Sequence, residues 1–199
     1  MPKKVVVVGS GNAALSAGIA ALEKGADVVI YEKADKKMAG GNTKYTAGAM
    51  RFSYENGDQL IDLLKHPDDK RIKDTDFGTY TNEKFSLDLL NFNDGRPLSP
   101  EQNILVSKSF ETIQWLASHN VKFEPIYSRQ SFLKDGKHIF WGGLTLASEN
   151  EGVGLFDQEL AAYLSLGGKI HYNSPVNKLI YEKNEVSGVL AYNKSVEAD

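Results

Sequence analysis

The residues best suited to chemistry lie close to the amino terminus. Gly9-x-Gly11-x-x-Ala14 follows the β-branched run Val5 to Val8 and opens a stretch, Asn12 to Lys24, in which small and apolar residues recur at helical spacing. A bound dinucleotide needs the first glycine for a tight strand-to-helix turn and the second so that the backbone can approach a pyrophosphate. The third position must be small so that helix and strand pack closely. The N–H groups of the first helical turn, around Asn12, Ala13 and Ala14, would point at the anion. Glu32 ends the next apolar run, Asp27 to Tyr31, where a carboxylate can hydrogen-bond ribose hydroxyls. It also argues against a cofactor with a phosphorylated ribose, because two negative groups would collide. Ser10 and Lys33 flank these positions and join the candidate set.

The glycine turn alone does not separate NAD from FAD. The segment Gly40-Gly41-Asn42-Thr43-Lys44-Tyr45-Thr46-Ala47-Gly48-Ala49 favours FAD, because flavoproteins bring a second loop of small residues along the pyrophosphate and isoalloxazine at this point in the chain. Small side chains let backbone amides touch a flavin, and Asn42 and Thr43 add short hydrogen-bonding groups. The competing reading is a surface loop.

Gly41-Asn42-Thr43-Lys44 with Ala47-Gly48 resembles the second FAD-binding motif of the fumarate reductase and succinate dehydrogenase flavoprotein superfamily. Gly9 to Leu15, Gly40 to Thr43, Thr46 and Arg51 are most similar to the FAD-dependent tricarballylate dehydrogenase branch. The resemblance implies FAD as cofactor and hydride transfer between flavin N5 and a carbon–carbon bond of a small carboxylate substrate, with an electron acceptor or donor that the residues do not specify. It also implies that the main chain of Val176 holds the adenine, although without the family Val176 is simply a strand residue. Arg51 would be a substrate contact, its guanidinium clamping a carboxylate; the plainer reading is a surface arginine. The resemblance implies that the residues for proton transfer would lie beyond Asp199, so no catalytic residue is assigned. Other members of the superfamily (fumarate reductase, ketosteroid dehydrogenase, aspartate oxidase) and a non-catalytic FAD-binding fragment are the alternatives.

These residues require elements to position them. Val5 to Val8 has no alternation and is expected to be a strand buried on both faces, followed by the glycine turn, a helix and a second strand at Asp27 to Glu32: a βαβ unit. Helices are expected at Asp58–Leu64, Thr81–Phe92, Ser99–His119 with Ser99 as N-cap and Pro100 in the first turn, and Val153–Leu166. Short strands or a hairpin are expected in Phe123–Phe140. Further strands are expected at Lys169–Tyr172, Val176–Glu182 and Val186–Tyr192. The fold class is therefore α/β, a Rossmann-like FAD-binding fold of the glutathione-reductase type. Within one FAD-binding domain, residues 1–52 would form the βαβ unit and flavin loop, 53–145 a mostly helical insertion, and 146–199 the return. The polar tail Ser195 to Asp199 and the absence of the family's capping domain lead to the expectation of an N-terminal piece, incomplete at its C-terminus.

Composition narrows the classes further. The 199 residues carry a net charge of −3 with scattered basic side chains, unlike a surface that neutralises nucleic-acid phosphates. There is no cysteine, which excludes disulfides, thiolate metal sites, a redox dithiol and a cysteinyl flavin link. His66, His119, His138 and His171 lack metal-site spacing, so no metal is expected. The apolar run at Val5 to Val8 is too short for a signal-peptide core or a membrane span, and a cytoplasmic protein is expected.

Overall fold

The computed structural model describes residues 2–192. The tail at 195–199 lies outside the described residues. The chain forms two compact units, one of Met1–Thr46 with Gly152–Asp199 and the other of Ala47–Glu151.

In the first unit, strands Lys4–Val8 and Asp27–Tyr31 run parallel, with Val5 opposite Val28 and Val8 opposite Tyr31. Helix Asn12–Glu23 is the crossover between them. Lys169–His171 adds a third parallel strand on the far side of Asp27–Tyr31, leaving that strand in the centre of the sheet. The centre is buried, with Val28 and Ile30 at 1% and 0% exposure. The expectation that Val5 to Val8 would be buried on both faces is not met, since Val6 and Val8 are 40% and 54% exposed. Among the described residues this strand has one ladder neighbour and lies at the sheet edge, so its β-branched side chains are covered only in part.

Helix Glu151–Ser165 packs on this sheet through Tyr163, which is fully buried and donates its hydroxyl to the carbonyls of Val28 and Lys169 at 3.3 and 2.8 Å. Strands Val176–Glu182 and Glu185–Ala191 form an antiparallel hairpin. Lys183 and Asn184 at its tip both have left-handed φ, as a type I′ turn requires.

The second unit begins at Ala47. Its longest helix, Pro100–Ser118, starts with a capping box in which the Ser99 hydroxyl accepts from the Gln102 N–H and the Gln102 side chain accepts from the Ser99 N–H. Helix Asn82–Phe92 is capped by Thr81. The helix expected over Asp58–Leu64 is a single turn, Asp58–Ile61. Two three-stranded sheets accompany the helices, one of Ala49–Met50, Leu146–Ser148 and Phe123–Pro125, the other of Thr75–Asp76, Lys137–Phe140 and Ser131–Lys134. Phe52, Tyr54, Leu60, Phe123 and Leu146 are buried at the core of this unit. Among the described residues no helix is long and apolar enough to cross a membrane.

Candidate functional site

The turn between the first strand and helix is built as a dinucleotide site needs. Gly9 has φ of +95°, a left-handed conformation, and a Cβ there would meet no atom within 4 Å. Its own N–H is tied to the Tyr31 carbonyl at 2.8 Å, so the turn is anchored to the second strand. The Ala14 and Leu15 N–H groups bond the Gly11 carbonyl. The Gly11 and Ala13 N–H groups have no acceptor among the described residues, and both stand at the helix end that favours an anion.

Gly9, Ser10, Gly11, Glu32, Lys33, Gly41 and Val176, all named from the sequence, line one cavity of about 290 Å³ together with Val8, Tyr31 and Pro175. Glu32 is 5% exposed and already held, with Oε2 accepting from the Ser10 hydroxyl at 2.6 Å and Oε1 from the Ala34 N–H at 2.8 Å. A carboxylate accepts about four hydrogen bonds, so Glu32 keeps capacity for a ligand hydroxyl. Val176 lies at the start of the hairpin, beside a register shift between Val176 and Lys178. Val8, Tyr31 and Pro175 were not marked by sequence, since an apolar lining residue has no spacing signature. Tyr31 is further fixed by stacking on His171, with ring centroids 5.1 Å apart.

The second loop meets the first turn directly. The Gly40 N–H donates to the Ser10 hydroxyl at 3.0 Å, and the Asn12 N–H donates to Thr43 Oγ1 at 2.9 Å. Thr43 belongs to the 3-10 turn Gly41–Tyr45, in which Asn42 is exposed. Helix Glu151–Ser165 approaches this turn so closely that a Cβ on Gly152 would fall 2.0 Å from the Thr43 carbonyl oxygen, and only glycine fits there.

Ala47, Gly48, Ala49 and Arg51 belong to the second unit. The Gly48 carbonyl accepts from the Ser148 N–H at 3.0 Å, holding this part of the loop beside strand Leu146–Ser148. Arg51 Nη1 donates to the Tyr80 hydroxyl at 2.8 Å and lies 3.6 Å from Asp88 Oδ2. Tyr80 in turn donates to Asp88 at 2.7 Å, and burial together with that bond pushes its hydroxyl up to about 12. Arg51, Asp88, Phe85, Leu89 and Phe92 line a cavity of about 380 Å³.

One carboxylate was missed by the sequence reading. Glu159, on helix Glu151–Ser165, is fully buried and accepts from the Ser16 hydroxyl at 2.8 Å. With the Asn12 amide oriented to satisfy both its ends, the amide nitrogen also donates to Glu159, at 2.9 and 3.1 Å to the two oxygens. Burial pushes its carboxyl up to about 7, against the smaller opposing effect of the Ser16 bond.

A free pair of N–H groups at a helix start, a carboxylate at the end of the second strand and an open cavity between them suit a diphosphate joined to a ribose. Residues 4–198 match the family model described as FAD binding domain. Over 46 residues, 23% of this chain and 8% of the relative, the sequence is 54% identical to digoxin reductase of Eggerthella lenta. Over 64 residues, 32% of this chain and 11% of the relative, it is 39% identical to the cytochrome fumarate reductase of Shewanella frigidimarina. The 3-ketosteroid-delta4-(5alpha)-dehydrogenase structure from Rhodococcus jostii RHA1 matches 96% of this chain and 42% of its own, with a TM-score of 0.67 at 18% identity. The open conformation of a flavocytochrome c3 fumarate reductase matches 96% of this chain and 30% of its own, with a TM-score of 0.65 at 24% identity. At these identities the structural likeness shows the fold. The chain spans less than half the length of each of these relatives. With the family match running from the first strand past the hairpin, the chain belongs to the FAD binding domain family, has its α/β fold, and takes FAD as its cofactor.

Proposed function

We propose that the first unit binds the ADP half of FAD in the cavity between Gly9–Gly11, Glu32 and Val176. The observation that carries this reading is their convergence on one cavity from segments far apart in sequence. The Gly11 and Ala13 N–H groups would hold the diphosphate, Glu32 the adenosine ribose hydroxyls, and the Val176 main chain the adenine. Lys33, beside Glu32, adds positive charge at the mouth. Gly40, Gly41, Asn42 and Thr43 would continue along the diphosphate, and Ala47, Gly48 and Ala49 along the isoalloxazine, as the family resemblance implies.

The protein carrying this chain is, on this reading, an FAD-dependent oxidoreductase acting on a carbon–carbon bond of a carboxylate substrate, in the manner of a tricarballylate dehydrogenase. Bound FAD supplies hydride transfer at N5; the chain's part is to bind, orient and shield it. Arg51 is the carboxylate contact within this chain, and the bonds to Tyr80 and Asp88 engage only its Nη1. Matches to a fumarate reductase and a digoxin reductase favour a second reading, in which the protein is another member of the superfamily, such as a fumarate reductase or a ketosteroid dehydrogenase.

Two measurements test these proposals. Flavin-free protein titrated with FAD should quench flavin fluorescence at one equivalent, and no binding would end the cofactor assignment. Turnover of the full-length holoprotein with tricarballylate, fumarate and a 3-ketosteroid then separates the substrates, and inactivity with all three would rule out these chemistries.

A further inference from the structure

Glu159 sits behind the first turn of helix Asn12–Glu23, where it has no role in the reading above. It contacts that helix at Asn12, its first residue, and at Ser16, one turn later. Resting on the assignment of the diphosphate to this turn, we propose that Glu159 is a positioning residue of the FAD site, setting the Asn12 amide and tightening FAD binding when it carries a proton.

Two physical effects act in the same direction. An asparagine amide has one donating and one accepting end. Ionised Glu159 takes the donating end, as in the 2.9 and 3.1 Å contacts, and leaves Oδ1 turned away from it. Protonated Glu159 donates its own O–H to Oδ1, turning the amide so that the N–H groups of Asn12 are released from the carboxylate. The second effect is charge. A buried anion behind the helix start competes with the diphosphate for the same positive helix end, in surroundings that screen poorly. Protonation removes it.

Asn12 and Ser16, which face Glu159 from the first helix, are neutral. On the surrounding elements, Glu32 is held by Ser10 and Ala34. Lys44 lies over the Phe156 ring at 4.9 Å and donates to the Lys37 carbonyl. Tyr163, one turn along the same helix, donates to backbone carbonyls. Among the described residues none forms an ion pair with Glu159. Burial is the main cause that brings its carboxyl to about 7, so both protonation states are reached at ordinary pH. By reciprocity, a ligand that binds more tightly to the protonated form takes up a proton on binding.

The test uses the full-length protein stripped of flavin, with FAD as the probe. Between about pH 6 and about pH 8.5 the FAD dissociation constant should rise by about tenfold, within the ordinary range of coupling between sites. Calorimetry in buffers of different ionisation enthalpy should show net proton uptake near pH 7.5. In Glu159→Gln both effects should vanish, with the affinity fixed near the acid-limb value. A pH profile or proton uptake unchanged in Glu159→Gln overturns the inference. Should that variant fail to fold, carboxyl carbon-13 NMR of the wild-type protein decides: the Glu159 midpoint moves up on adding FAD, or it stays and the inference is wrong. Failure of FAD to bind at any pH would defeat the cofactor assignment itself, whereas tight but pH-independent binding would defeat this inference alone.

Discussion

The Ser10 hydroxyl donates to Glu32 Oε2 at 2.6 Å and accepts from the Gly40 N–H at 3.0 Å, so one side chain ties the glycine turn to the second strand and to the second loop. Ser10 is 1% exposed, and water cannot replace these bonds cheaply. Ser10→Ala should therefore cost about 1–3 kcal/mol in urea denaturation, the usual penalty for stranding buried polar groups. It should also weaken FAD, because Glu32 and Gly40 lose their common anchor. Ser10→Thr, which keeps the hydroxyl, should bind FAD more tightly than Ser10→Ala in the same titration.

Glu159 makes stability depend on pH even without cofactor. Burial holds its carboxyl at about 7 in the folded chain against the ordinary carboxyl value of 4.5, so the folded state holds the proton more tightly. The advantage is complete below about pH 4.5, declines through the window up to about 7, and is gone above it. Over that window the flavin-free protein should lose on the order of 3 kcal/mol relative to Glu159→Gln, at 1.36 kcal/mol per pH unit. Parallel denaturation series for the two proteins check this; equal slopes would show that Glu159 ionises normally.

The βαβ unit was legible because its signals are local: a β-branched run, a glycine turn, small residues at helical spacing and a second apolar run ending in Glu32. Ser99 as N-cap and Pro100 in the first turn likewise announce a helix start. Glu159 was not legible, because in Phe156-Asp157-Gln158-Glu159-Leu160 it looks like one more polar position on a surface helix. Its partner Ser16 is 143 residues away, and no spacing rule connects them. Val6 and Val8 misled in the opposite sense. A strand's composition reports its propensity to be covered, whereas its exposure depends on which neighbours pair with it. The two- to four-residue strands of the second unit are too short to show periodicity.

The contact between Gly152 and Thr43 should be intolerant of any side chain. With a Cβ falling 2.0 Å from the Thr43 carbonyl and 2.6 Å from Thr46 Oγ1, Gly152→Ala must displace the Gly41–Tyr45 turn or the start of helix Glu151–Ser165. Overpacking of this kind costs roughly 1–3 kcal/mol. Because Thr43 Oγ1 accepts from the Asn12 N–H, the displacement should reach the diphosphate turn and weaken FAD as well. Thermal denaturation and FAD titration of Gly152→Ala should both shift; a change in stability with unaltered FAD affinity would separate this contact from the cofactor site.

Arg51 offers the sharpest test of the substrate assignment. Its ion pair with Asp88 joins side chains that are 42% and 44% exposed, and such a pair contributes at most about 1 kcal/mol to stability. Arg51→Ala should therefore leave the fold nearly intact, while a lost carboxylate clamp should raise KM for a carboxylate substrate by at least about tenfold, the cost of a charge-assisted bond. Arg51→Lys should recover only part of the loss, because an ammonium cannot make the paired bonds of a guanidinium. The neighbouring Asp88 sharpens the readout. Asp88→Asn removes a negative charge beside the guanidinium, so it should lower KM for a dicarboxylate or tricarboxylate and leave KM for a neutral steroid unchanged. An Arg51→Ala holoprotein with wild-type KM and kcat would return Arg51 to a purely structural partner of Tyr80 and Asp88.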